Sequence, residues 1–432
     1  MLKVALLRTL LLALAVSLVA VVAPYQASVK AQGTVLRMVF PTISTNEQTQ
    51  ADFEKDVIGK FKTANPGVDV KITWVPNFNK LQEVLTTDFA AGTPPDVFIL
   101  GIGWIPPFAE QLAPLTGSAF GADYLKDFSP SLLETASYKG TLYGIPLVLD
   151  TRMLVYRKDI FKAAGLDPEK PPTSWTELRE MAIKLTKRDA SGKIEIAGFD
   201  MPRGGPSLGA RSPRQHWFTL LWQWGGDLFS KDLATCTMNT PAAVESLQFY
   251  VDMIHKDKVI DVTTDTGVQG QSLLSAGKAA MAYYHNNYWA NEASKSKDLA
   301  AQIGIIPPFK NPGEGQFYGG WILVSSKASK NAELSAKLLQ HITASDSSLW
   351  INSRRGGIPA RASLQDSDYV KANPLVAESI KRLGIARGEG GPKNWLEMRS
   401  LFDPVLEEAI NATRTPKSAL DEICKQVDKL NK

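Results

Sequence analysis

Residues that could do chemistry are scattered along this chain of 432 residues rather than gathered into motifs. The four histidines, His216, His255, His285 and His341, never fall at the short spacing of a zinc site, and neither cysteine stands near them. Gly205-Pro206-Ser207-Leu208-Gly209 matches the G-x-S-x-G pattern of esterases. That motif needs a strand before the serine and a helix after it, and the Gly-, Pro- and Arg-rich flanks suit neither. Gly101-Ile102-Gly103 follows an apolar run as a dinucleotide loop would, but the third glycine position holds Pro106. No pair of carboxylates and no Ser–His–acid set stands out, so a secreted hydrolase is the weakest alternative. The expectation is a protein with no catalytic residues, metal or cofactor.

The aromatic residues are more informative. Ten tryptophans is a high count, and several border glycines or follow apolar runs. Trp104 follows the run ending at Leu100. Trp217, Trp222 and Trp224 lie beside Gly225-Gly226, and Trp289 closes His285-Asn286-Asn287-Tyr288-Trp289. Trp321 follows Gly319-Gly320, and Trp395 follows Gly388-Glu389-Gly390-Gly391. Strand ends and glycine-bordered loops are where open α/β sheets hold ligands. Indole faces among Asn, Asp and Gln suit a sugar, which has C–H ring faces and a hydroxyl rim. Trp74, Trp175 and Trp350 are expected to be core residues.

The elements that must position these residues read as α/β. Val35 to Phe40 is a first strand, and Phe53, Val57, Ile58 and Phe61 recur at helical spacing. Val68, Val70, Ile72 and Trp74 alternate as a strand. A helix around Leu81 to Ala91 precedes the buried strand Val97 to Leu100. Leu142 to Asp150 is extended and Met153 to Tyr156 apolar. Ser174 or Thr173 caps a helix, with Glu177 placed for a capping box. His216 to Trp224 reads as a buried helix, and Pro416 opens the last helix. The pattern predicts a mostly parallel sheet in two lobes, the length exceeding one typical core.

Lys3 and Arg8 precede an apolar run from Thr9 to Ala23, and Val29-Lys30-Ala31 offers small residues at a cleavage site. Residues 1–31 therefore read as a secretory signal peptide, too short for a comfortable membrane span. Beyond them the charge is 45 basic against 44 acidic residues, which argues against a nucleic-acid partner. No cysteine sits at the mature N-terminus for lipid attachment, so a periplasmic location is expected. An oxidising compartment permits a Cys236–Cys424 disulfide, and two small buried residues is the alternative.

Taken in order, several segments resemble the extracellular solute-binding proteins of ABC importers, of the maltose-binding-protein-like, carbohydrate type. They are Pro95-Asp96-Val97-Phe98-Ile99-Leu100, Leu142-Tyr143-Gly144-Ile145-Pro146, Leu154-Val155-Tyr156-Arg157-Lys158-Asp159, Pro172-Thr173-Ser174-Trp175-Thr176-Glu177-Leu178, Gly277-Lys278-Ala279-Ala280-Met281, Tyr318-Gly319-Gly320-Trp321 and Gly356-Gly357-Ile358-Pro359-Ala360-Arg361. The resemblance implies two α/β lobes joined by a hinge of several segments: residues 33–149 plus 320–356, and residues 150–319 plus 357–432. It implies a monomer that captures a mono- or oligosaccharide in the cleft and delivers it to membrane permease subunits. By the same resemblance, Asp150 accepts sugar hydroxyls and Trp289, beside Asn286 and Tyr288, stacks on a sugar ring. Trp217 and Trp395 match two further aromatic positions. Asn46 and Glu47 form a polar edge, and Trp104 with Gly320-Trp321 forms the far wall. Arg355, with Arg203, Arg211, Arg214 and Arg354, supports the alternative of an anionic ligand such as glycerol phosphate or a glycerophosphodiester.

Overall fold

A computed structural model describes residues 33–115, 120–201, 212–261, 271–310 and 312–431. The signal segment, the G-x-S-x-G match, Arg203 and Arg211 lie outside the described residues. Thirteen strands are present among the described residues: β1 (Thr34–Pro41), β2 (Val68–Val75), β3 (Val97–Gly101), β4 (Ser137–Tyr138), β5 (Thr141–Leu142), β6 (Gly144–Arg157), β7 (Lys187–Arg188), β8 (Ile194–Asp200), β9 (Ala279–His285), β10 (Ile303–Ile306), β11 (Gln316–Ser325), β12 (Ile358–Pro359) and β13 (Ala386–Gly388). All but β4 and β5 join one sheet, whose main path runs β2-β1-β3-β11-β6-β9-β8-β7.

Two halves of this sheet meet on β6. β1 lies parallel to both β2 and β3, as helix-connected crossovers require. From Gly144 to Thr151, β6 is antiparallel to β11. From Arg152 to Tyr156 it pairs instead with β9, and from Leu154 to Arg157 also with β10. Every residue of β6 except Arg157 is buried, which explains its near-continuous apolar reading. The sequence pattern divides this stretch at Thr151-Arg152. The chain does not break there; it changes partners.

The helices follow their caps and stripes. Ser174 Oγ accepts from Glu177 N at 3.1 Å, and the Glu177 carboxylate accepts from Thr173 N at 2.7 Å. These caps open the helix Trp175–Leu185, which buries Trp175, Leu178, Ala182 and Leu185. The helix Pro213–Gln223 is buried nearly all round. Cys236 and Cys424 form a disulfide across a Cα separation of 5.2 Å. It ties the bridge between Phe229 and Cys236 to the final helix, Pro416–Leu430. Among the described residues no helix is long and apolar enough to cross a membrane.

Candidate ligand-binding site

A cavity of about 360 Å³ opens where β6 changes partners. It lies at the carboxyl ends of the parallel strands, lined by Pro41 at the end of β1, Pro76 after β2 and Gly101 of β3. Open α/β sheets place ligands at such a point, because strand-end loops diverge there. Groups from the second half, including Gln215, His285 and Asn287, face it from the other side. The loop holding Gly103 meets the loop after β13 so closely that a Cβ at Gly103 would clash with the Glu389 carbonyl oxygen. Gly103 has φ +87°, a backbone that favours glycine in any case.

Strand pleating builds the polar floor. Asp150 and Arg152 are two apart on β6 and share a face, and Arg152 is in register with His285 of β9. Arg152 Nη1 lies 3.2 Å from Asp150 Oδ1, and His285 Nε2 lies 3.4 Å from the same oxygen. His285 Nδ1 accepts from Asn287 N at 3.2 Å, which leaves the ring proton on Nε2, facing Asp150. Arg152 also donates through Nη2 to Gln215 Oε1. The helix Ser345–Arg355 ends with Arg355 at the cavity, its Nη2 4.0 Å from Asp150 Oδ2. The Arg355 guanidinium sits 4.1 Å from the Trp321 ring centroid.

Burial works against the Asp150 charge. The neighbouring His285, Arg152 and Arg355 outweigh it and hold the carboxyl well below the usual carboxylate range. Burial, together with the Arg152 guanidinium, pushes His285 down to about 4. At neutral pH the floor is therefore one carboxylate, two guanidiniums and a neutral imidazole. A separate ionic cluster lines the cavity beside it. Arg214 donates to Glu389 at 3.3 Å and to Asp403 at 2.6 Å, and Arg399 donates to Glu389 at 3.0 Å. Ser212 Oγ donates to Asp403 at 2.7 Å.

Of the residues singled out from sequence, Trp104, Asp150, Arg214, Gly320, Trp321, Arg354 and Arg355 line this cavity. Both tryptophans are only 1% exposed. Trp321 is covered by Arg355 on the cavity side and meets Phe40 edge-on at 5.3 Å. Trp104 packs against Phe78 at 5.3 Å. Phe78 is half-buried and also lines the cavity; the sequence reading did not single it out. It also missed Arg152, His285, Gln215, Glu389, Arg399 and Asp403 as cavity residues.

The others among the described residues do not line this cavity. Trp217 is fully buried, its indole N–H donating to Ser246 Oγ at 2.9 Å. Trp395 is fully buried at the start of the helix Trp395–Ile410, against Phe229 and Phe402. Asn286 is fully buried; its side chain accepts from Thr151 N and donates to the Gly356 carbonyl, both at 2.8 Å, so it stitches β6 to the end of the Arg355 helix. Tyr288 is buried with its hydroxyl 2.8 Å from Ser275 Oγ, and Trp289 packs half-buried on the same cluster around Met153 and Val155. Asn46 caps the helix beginning at Glu47 by accepting from Gln48 N. Glu47 is exposed in that helix's first turn, while Thr42 to Thr45, just upstream, line the cavity.

Known proteins share this architecture. A binding protein of Brucella abortus strain 2308 is 26% identical over 406 residues, covering 90% of this chain and 92% of the relative. A protein of Pseudomonas aeruginosa named mannitol-binding protein is 26% identical over 354 residues, covering 75% of this chain and 74% of its own. The solved structure of maltose-bound T. maritima MalE3 superposes with a TM-score of 0.77 at 25% identity, covering 92% of this chain and 100% of that one. The fold is thus the two-lobed one of periplasmic binding proteins. The family model of the bacterial extracellular solute-binding proteins matches residues 44–347, and the chain belongs to that family.

Proposed function

We propose that this chain is the substrate-binding component of an ABC importer, which captures a mono- or oligosaccharide and hands it to membrane permease subunits. The observation that carries this reading is the cavity at the β6 changeover, walled by loops of both halves. Its volume falls at the small end of small-molecule sites. The mannitol-binding relative and the maltose-bound neighbour support a sugar as cargo.

The lobes are residues 33–149 with 320–356, and 150–319 with 357–432. Asp150 and Thr151 lie at the crossover, so rotation there changes the distance between the cavity walls. Ligand favours the closed form only by the contacts closure adds. The exported chain acts as a periplasmic monomer and returns its cargo unaltered, with no catalytic step. In the test, saccharides of one to three units are added to the purified exported chain while melting temperature and tryptophan emission are followed. One or more sugars should raise the melting temperature and shift the emission of Trp104 and Trp321, with no loss of sugar. A panel in which no saccharide changes either signal overturns the reading.

A further inference from the structure

Charge counting around the cavity separates matched from unmatched groups. Arg214 and Arg399 are matched by Glu389 and Asp403. Arg152 and Arg355 share the single carboxylate of Asp150, and His285 beside it is neutral. Asp150 is spent mainly on Arg152, at 3.2 Å; its distance to Arg355 is 4.0 Å, beyond a hydrogen bond. The second bond of Arg152 goes to Gln215, which carries no charge. Among the described residues, one guanidinium charge at the cavity floor thus has no counter-charge, on side chains that are 4% (Arg152) and 18% (Arg355) exposed, while the exposed Arg354 adds a further cation at the rim. Closing the lobes over a neutral sugar would strip water from that charge and return hydroxyl hydrogen bonds but no counter-charge.

We propose that the cargo is a saccharide bearing an acidic group, carboxylate or phosphate, which supplies the missing charge at Arg355. The proposal rests on the sugar-binding reading and narrows it. Stacking on Trp321 holds the guanidinium in place, so an acid group meets a fixed donor rather than a free side chain. Charge-assisted bonds from arginine to an oxyanion are the strong ones, and two can form in parallel. Asp150 also lines the cavity and offers carboxylate oxygens to sugar hydroxyls, so the hydroxyls and the acid group have different partners.

Titration calorimetry of the exported chain should compare glucuronate with glucose, digalacturonate with maltose, and glucose 6-phosphate with both monosaccharides. At least one acidic sugar should bind about tenfold or more tightly than its neutral partner, with the gap shrinking as salt is raised. Whether uronate or phosphate wins assigns the acid group. Arg355→Gln should erase most of the preference, lowering acidic-sugar affinity about tenfold, with Arg355→Lys falling between, because lysine keeps the charge and loses the planar fork. Neutral sugars binding as tightly as the acidic ones would overturn the proposal and leave the saccharide reading standing. Glycerol 3-phosphate binding where no saccharide does would overturn both. If Arg355→Gln melts before it can be titrated, the acidic-to-neutral ratio and its salt dependence in the unaltered chain decide the matter.

Discussion

Two buried ionic clusters line one cavity, and they are built differently. At Arg214, Arg399, Glu389 and Asp403, two guanidiniums face two carboxylates, with Ser212 satisfying a further oxygen. At Asp150, Arg152, Arg355 and His285, two guanidiniums face one carboxylate, and the imidazole adds a hydrogen-bond donor without adding charge. The first joins the helix Pro213–Gln223, the loop after β13 and the helix Trp395–Ile410, so it is complete as a structural clasp. The second sits where β6 changes partners and is incomplete without a visiting anion. A desolvated ion pair contributes little net stability, but removing one partner is costly, so the two clusters should respond differently to loss of an acid.

The largest effect is expected from Asp150→Ala. It leaves Arg152 and Arg355 with no carboxylate and should destabilise the chain by about 3–5 kcal/mol, read by urea unfolding. Added uronate or phosphate should recover part of that loss. Glu389→Gln removes one of two acids from the balanced cluster, and Asp403 still holds Arg214. Its cost should be smaller, about 1.5–3 kcal/mol, because the amide oxygen still accepts from the arginines, and added anion should recover less of it than for Asp150→Ala. If anion rescues both variants equally, the contrast between the clusters is wrong.

Acid should act on the incomplete cluster through His285. Its value in the folded chain, about 4, lies below that of an ordinary histidine. Between roughly pH 6.5 and 4 the unfolded chain therefore takes up a proton that the folded chain refuses, and stability falls as pH falls. Asp150 has its carboxyl held down, so its own contribution is lost only at lower pH. His285→Gln, which keeps a donor without the titration, should flatten the slope in that window by about 2–3 kcal/mol at most. An unchanged slope in the variant, measured by unfolding at a series of pH values, would assign the acid sensitivity to other groups.

How far this site could be read from sequence follows from what each residue's position depends on. β3 and β6 announce themselves as apolar runs because both faces are covered. Asp150 and Arg152 share a strand face only because β6 runs unbroken through Thr151, and Arg152 meets His285 only through the β6–β9 register, which spacing cannot supply. Trp217 does not line the cavity because its helix is buried nearly all round, and periodicity does not tell a cavity face from a core face there. Trp395 follows glycines that suggested a loop, but it opens a helix that runs on through Pro404 and buries it. The helix Ser345–Arg355, rich in serine and charge, carries no strong apolar stripe, yet its end delivers Arg355.

The smallest effect separates two adjacent arginines in almost the same setting. Arg354 lies 3.9 Å from the Trp350 ring centroid, and Arg355 lies 4.1 Å from that of Trp321. Arg354 is exposed at the cavity rim over a half-buried Trp350, and Arg355 is at the floor beside Asp150. Cation–π contact alone would make the two substitutions alike. At an exposed site it is worth about 0.5–1 kcal/mol, and Arg354→Gln should cost no more than that in stability. Its effect on acidic-sugar affinity should be within about threefold and should vanish at high salt, because a rim charge acts at a distance through water. Arg355→Gln should change ligand preference far more, since the charge it removes is the one the floor leaves unmatched. Equal effects of the two variants on binding would mean that overall positive charge, rather than the unpaired charge beside Asp150, draws the ligand in.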